Sequence, residues 1–427
     1  MRFCFSWLNK RNQQTMSTLK LELQKAKTFL EEDQPNMVDL LTSWVNINSG
    51  STNLPGLDAM ANAITEHIAT MRYTVERITP KPYATVDEWG SKASKKVGDI
   101  IRVTNRPEAP IQILFNGHMD TVYSKDSNFQ TFAVVDDNNI QGPGVTDMKG
   151  GLVVMLKSLE AFEKSTLAKN IGWEILITSD EEIGSHNSLP FIQKSAQGKD
   201  LALIFESSLP DGSLIRNRKG SGVFNIKVKG KSAHVGRDFK DGRNAIIGMS
   251  EIISAIHHLN DSAIIYNVGN IRSGEALNVI PDVAYSQVNI RTDSADSEKI
   301  ALAKLEAIID QFNQKKSGLK AKYSGEFTRP SKVAGHKETE IFERLKACAQ
   351  DLNMPELQWR DTGGCSDGNI VSNLGVPNID NLGVCGDNIH RPDEYCIVSS
   401  ILERSLLTTT FLLNLADSPL SFTSPPP

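Results

Sequence analysis

Three apolar runs of strand length in this 427-residue chain end in acidic or imidazole side chains. Residues 111–115 lead into Asn-Gly-His118-Met-Asp120, residues 173–177 into Thr-Ser-Asp-Glu181-Glu182, and residues 201–205 directly into Glu206. Side chains two apart on an extended chain project to the same side. One member of His118/Asp120 can therefore ligate a cation while the other orients it, as carboxylates commonly orient a ligating imidazole. A surface loop is the plainer reading of His-x-Asp taken alone. Three successive acids after a buried strand repel one another unless cations sit among them; a solvated loop is again the alternative. In the functional reading Glu182 binds metal and Glu181 faces the substrate as a general base. Asp147 stands in the turn-rich Gly142-Pro-Gly-Val-Thr-Asp-Met-Lys-Gly-Gly151, as a ligand or as a helix N-cap. His390 lies in the polar Asp387-Asn-Ile-His-Arg-Pro-Asp-Glu394, one of three histidines, with His118 and His234, in Gly/Asp-rich loops.

The elements that must position these groups follow from hydrophobic pattern. Continuous apolar strands alternating with helical stretches, such as residues 148–162, indicate an α/β layer with a mostly parallel mixed sheet and helices on both faces. From about Gly220 the pattern changes to alternation, Phe224, Ile226 and Val228 against Asn225, Lys227 and Lys229. Strands near 263–272, 282–292 and 319–324 and helices near 244–259 and 297–316 complete the order strand–helix–strand–strand–helix–strand, that of a ferredoxin-like unit. The expected organisation is a disordered tail at 1–18, a discontinuous catalytic domain at 19–218 and 329–418, an inserted α+β lid and dimerisation domain at 219–328, and a flexible C-terminal tail at 419–427.

Composition limits the function classes. The net charge of −5 lacks the basic excess that nucleic acid or an anionic membrane surface requires. No window approaches the roughly 20 apolar residues of a membrane span. Five cysteines, odd in number and without a CxxC pair, suggest a reduced, cytoplasmic setting and exclude a disulfide framework. The interrupted apolar patch of Met1–Met16 does not read as a signal peptide, and Met16 is an alternative start.

The stretches GHMDTV, GPGVTDMKGG, TSDEEIGS and GKSAHVG, followed by the late His390, resemble in order and flanks the M20 family of metallopeptidases, the aminoacylase, acetylornithine deacetylase and carboxypeptidase G2 group. The resemblance runs from about Leu40 to the last helix. It implies that His118 and Glu206 complete one metal's shell, that Glu182 and His390 complete the other's, and that Asp147 bridges them. It makes Asp120 the partner that orients His118 and Glu181 the base that activates water. His234 resembles the histidine that reaches across a dimer into the partner's active site.

Ligands of His, Asp and Glu without thiolate suit two Zn²⁺ per subunit, with Co²⁺ or Mn²⁺ as substitutes. A hydrolysed amide of an amino acid presents a carboxylate, for which a guanidinium is the natural partner. Arg329 resembles the family's hinge-region arginine, with an interdomain salt bridge as the other reading, and Arg291 sits at a strand end. Asn278 matches a substrate-side asparagine, and Gly363 and Gly364 open a glycine-rich loop whose N–H groups suit a carboxylate. The expected activity is amide hydrolysis of a small peptide or N-acyl amino acid by a homodimer, closest in look to carboxypeptidase G2. The alternatives are an acetylornithine deacetylase-like deacylase, a non-catalytic binding protein and a dinuclear phosphoesterase.

Overall fold

The computed structural model describes residues 2–86, 91–315 and 317–422, with side chains from residue 18 onward. Its centre is a six-stranded sheet in the order Glu76–Ile78, Ile100–Asn105, Ile171–Thr178, Ile111–His118, Leu201–Ile204, Asn378–Ile379. The first two pairings are antiparallel and the remaining three parallel. Both faces are covered, which is why the central strands are largely apolar. Ile113, Phe115, Ile175 and Leu203 enter one core with helices Arg2–Val45, Leu54–Thr70, Gly151–Glu163 and Ser399–Asp417. Leu114, Leu176, Ala202 and Ile204 enter a second with Ile192 and Ile370, from helices Leu189–Ala196 and Asp367–Asn373.

The module is a four-stranded antiparallel sheet ordered Ile264–Ser273, Val283–Thr292, Gly220–Lys229, Lys320–Arg329. That order, with helices Ala245–His257 and Ala295–Gln314 on one face, is the expected ferredoxin-like arrangement. Phe224, Ile226 and Val228 are buried against those helices, as the alternation required.

Two expectations about the ends need correction. Helix Arg2–Val45 takes in most of the segment read as a disordered tail. Residues 2–17 contain no Gly or Pro to stop a helix propagating outward from its packed part; their side chains lie outside the described residues. At the other end the tail is docked through residue 422: Leu420 is buried in the main core, and Ser421 donates to the Glu340 carboxylate from N and Oγ. Apolar Leu420 and Phe422, among Ser and Pro, supply the burial; residues 423–427 lie outside the description.

Candidate metal centre

The parallel strands Ile111–His118, Ile171–Thr178 and Leu201–Ile204 end at the same edge of the sheet, and the singled-out acids and histidines collect there, as sites do at the carboxyl ends of open α/β sheets. His118 is the last residue of its strand and fully buried. Glu181 and Glu182 occupy a short turn, Glu181–Ile183, after Ile171–Thr178. Asp147 lies in an irregular turn before helix Gly151–Glu163; Gly144, at φ +73°, supplies the left-handed residue that turn needs. At Gly151 a Cβ would stand 1.9 Å from Phe205 O, so only glycine lets the helix start this close to the strand that delivers Glu206. His390 arrives on the loop between Gly386–Asp387 and Tyr395–Ile397. A small sheet pairs that loop's second strand with Asn139–Gln141 and so sets it beside Asp147.

The carboxylate of Asp147 faces two ways. Oδ1 is 3.2 Å from His118 Nε2, and Oδ2 is 3.3 Å from His390 Nε2. Glu206 Oε2 stands 3.8 Å from His118 Nε2, on the first side. Glu182 Oε2 stands 3.2 Å from His390 Nε2, on the second. His390 takes φ +65°, in the left-handed region that non-glycine residues rarely adopt.

The electrostatics fit a cation pair. Burial, then the charge of Asp147, raises Glu182 to about 8; burial also raises Glu206. Against burial, His118 and His390 pull Asp147 below the usual carboxylate range. Hydrogen bonds to Asp147 and Glu182 raise His390 to about 11, and His118 rises as well: burial opposes this, but Asp120, Asp147 and Glu206 outweigh it. Protons on imidazole thus balance carboxylate charge that divalent cations would balance better, and Glu182 Oε1 is buried with no hydrogen-bond partner among the described residues. Five oxygen and nitrogen donors without thiolate fit Zn²⁺.

Proximity alone leaves the place of Glu181 open, because ligand atoms of His118, Glu181 and Glu206 lie within 4.8 Å of one another, as do those of His118, Asp147 and Glu182. Glu181 differs from the other carboxylates of the site in its neighbour. Arg329 Nη2 stands 2.7 Å from Glu181 Oε1 and donates to Glu181 O at 2.5 Å and Ser185 Oγ at 2.8 Å. A guanidinium favours the ionised form of the carboxylate it faces. Burial raises Glu181 to about 7, with Arg329 pulling the other way. The interdomain salt bridge, one of two readings for Arg329, is the contact made here.

Asp120 stands against His118 Nδ1 with its backbone and its carboxylate. Its backbone O is 2.9 Å from His118 Nδ1 and its Oδ1 3.4 Å away. The carboxylate also accepts from Glu181 N (3.1 Å), Glu182 N (3.2 Å) and Ser51 Oγ (2.7 Å), so it ties the strand carrying His118 to the turn carrying the two glutamates.

The sequence pattern passed over Glu394, four residues after His390. It is fully buried and accepts from the backbone N–H groups of Gly144 (3.1 Å), Thr146 (2.8 Å) and Asp147 (3.0 Å). It fixes the turn that presents Asp147. Glu394→Ala should lower metal affinity about 10- to 100-fold, as loss of such supporting partners does. A competition titration with a chelator measures this; wild-type affinity would show that Asp147 holds its place without the carboxylate.

Of the expected substrate-side residues, Arg291, Arg329 and Gly364 line a cleft of about 320 Å³ beside the centre, together with Arg218, which the pattern gave no reason to choose. Arg291 Nη1 is 3.1 Å from Cys365 Sγ. Gly363 is exposed and outside the lining. His234 and Asn278 do not reach the cleft within one chain. Both are exposed in neighbouring module loops, where Val235 N donates to Asn278 O at 3.0 Å. No described helix is long and apolar enough to cross a membrane.

Comparisons with known proteins agree with this geometry. Carboxypeptidase G2 of Pseudomonas sp. (strain RS-16) is 26% identical over 388 residues, covering 90% of each chain. Succinyl-diaminopimelate desuccinylase of Rickettsia bellii is 26% identical over 380 residues, covering 81% of this chain and 95% of its own. Among solved structures, a di-peptidase from Saccharomyces cerevisiae superposes with a TM-score of 0.72 at 14% identity, over 93% of this chain and 99% of its own. An M20 family metallo-carboxypeptidase from Sulfolobus solfataricus gives 0.70 at 17%, over 89% and 99%. These two show the shared fold. The model of peptidase family M20/M25/M40 matches residues 114–414, which take in every ligand candidate from His118 to His390, and the chain belongs to that family of amide-bond hydrolases.

Proposed function

We propose that the chain is a dinuclear zinc hydrolase of the carboxypeptidase G2 type, cleaving the amide bond of a small peptide or N-acyl amino acid next to a carboxylate. The observation that carries this reading is Asp147, whose two oxygens face His118 and His390 on opposite sides. His118, Glu206 and Asp147 would hold one ion; Asp147, Glu182 and His390 would hold the other. Two bound cations would acidify a water and offset the charge that builds on the amide oxygen.

The chain's own groups do the rest. Glu181 accepts the proton of the attacking water on its carboxylate and passes it to the leaving nitrogen. Arg329 keeps that carboxylate oriented. Arg291, in the cleft wall, pairs with the substrate carboxylate, and Gly364 brings backbone into the same wall. In a homodimer, His234 and Asn278 would come to this cleft from the partner subunit, which accounts for their exposure within one chain. The four unpaired cysteines among the described residues support a reducing, cytoplasmic setting.

A second reading, an N-acyl amino-acid deacylase akin to acetylornithine deacetylase, draws support from the succinyl-diaminopimelate desuccinylase likeness. One panel separates them: dipeptides, acyl-glutamates and N-acetyl amino acids on zinc-reconstituted protein. The carboxypeptidase reading expects kcat/KM on dipeptides or acyl-glutamates to exceed that on N-acetyl amino acids at least tenfold. The reverse order would establish the deacylase. Sedimentation of an active monomer would remove the partner role of His234.

A further inference from the structure

The module joins the metal-site domain through two passages of chain, around residues 218–220 and 329–332, and both are gripped at one point. Arg218 and Lys332 face each other across the passages and exchange both backbone hydrogen bonds, each 3.0 Å. One side-chain amide, Asn369 Nδ2, donates to Lys219 O at 3.1 Å and to Pro330 O at 2.8 Å. One carboxylate, Asp380, takes a side chain from each passage. Arg218 donates from Nε at 2.7 Å and Nη2 at 3.2 Å, and Lys332 Nζ lies 3.7 Å away. Ser366 Oγ (2.8 Å) and Asn381 N (2.9 Å) complete its partners, and Asp380 is 0% exposed.

Charged groups are expensive to bury and expensive to leave alone once buried. Here three meet at the joint between domains, and one of them, Arg218, also lines the cleft. The cleft needs that joint held. Arg291 and Arg329 come from the module, while Glu181 and the metal ligands come from the other domain. Arg329 lies three residues before Lys332, and its contact with Glu181 spans the two domains. Rotation of the module about the joint would pull Arg218 and Lys332 out of step over a single carboxylate, and would draw Lys219 O or Pro330 O away from Asn369.

We propose that Asp380 and Asn369 are positioning residues that fix the module's angle over the metal centre by holding both passages at once. They touch no reacting atom; they act through Arg291 and Arg329. The catalytic consequence rests on the site reading above, whereas the geometric claim does not.

The test combines distance and rate. Spin labels at Lys299→Cys on the module and Glu343→Cys on the other domain, with Cys4 and Cys365 changed to serine, report the interdomain distance in zinc-loaded protein by double electron–electron resonance. The otherwise unaltered sequence should give one narrow distance. Asp380→Asn and Asn369→Ala should each at least double its width or move its centre. Without labels, the same variants should retain zinc and lose about 10- to 100-fold in kcat/KM, chiefly through KM, because a displacement of about 1 Å in a positioning group can cost 10²-fold. Superimposable distances in the folded variants would overturn the proposal, and so would broadened distances with unchanged kcat/KM. Should Asp380→Asn fail to fold, Asn369→Ala, which removes no buried charge, decides alone. Absence of turnover in the wild type would count against the proposed function, with the distances still deciding the geometric claim.

Discussion

Glu181→Gln is expected to abolish turnover while the protein keeps its full complement of metal. Glutamine matches the carboxylate in shape, so the turn that Asp120 holds through the backbone N–H groups of residues 181 and 182 has no cause to move. What is lost is the proton acceptor, a contribution of about 10²–10⁴-fold. The loss should fall on kcat with KM little changed, as for a group that acts in the transition state. Arg329 loses one charge partner but keeps Asp367 Oδ1 at 3.6 Å and its bonds to the backbone O of residue 181 and Ser185 Oγ, so the cleft wall should hold. Metal analysis beside steady-state kinetics checks both halves. Activity within tenfold of wild type would remove Glu181 as the base. A variant that lost an ion would instead make Glu181 a ligand, as its closeness to His118 and Glu206 allows.

The contrast between Glu181 and Glu182 shows what local sequence can convey. Two adjacent acids at the exit of an apolar strand point apart, and in the structure they meet different partners, Arg329 for Glu181 and His390 for Glu182. Local sequence conveys His118 and Glu206 as well: a continuous apolar run buried on both faces must end near the sheet edge where parallel strands gather their sites. Alternation gave the module's order of elements for the same reason, since period two marks a face and Phe224, Ile226 and Val228 mark it clearly.

What the sequence did not convey depends on partners far along the chain. Asp120 reads as an orienting residue for His118, but its grip on the turn at residues 181–182 spans 61 residues or more. Glu394 reads as one more acid in a polar loop; its three backbone donors lie some 250 residues earlier. The pairing of Arg218 with Asp380 spans 162 residues and has no periodic signature. Arg329 had two readings from sequence because an arginine at a domain boundary serves either equally well, and only the placement of Glu181 shows which contact it makes. The docked end of the chain was missed for another reason. Ser and Pro dominate its composition, while Leu420 and Phe422 carry it onto the core.

The largest effect on metal content is expected at Asp147. If its two oxygens serve two ions, Asp147→Ala should reduce bound zinc from two per chain to less than one, whereas Glu206→Gln or His390→Ala, each on one side only, should leave close to one. The difference follows from position. His118 and Glu206 stand on the Oδ1 side and His390 and Glu182 on the Oδ2 side, and without Asp147 neither group contributes more than two donors to its ion. Structural and catalytic zinc sites ordinarily use three or four protein ligands. Removing the bridge should therefore drop turnover below detection, where a one-sided variant retains a measurable remnant. Stability gives an independent reading. A site filled at a hundred times its Kd adds about 2.7 kcal/mol to the folded state, so the melting temperature of the wild type should climb as zinc is titrated in. Asp147→Ala should show almost none of that climb, and the one-sided variants about half. An Asp147→Ala protein that still bound two zinc ions, or that melted with the wild type's zinc dependence, would mean that the two histidines belong to separate sites rather than to one centre joined by a shared carboxylate.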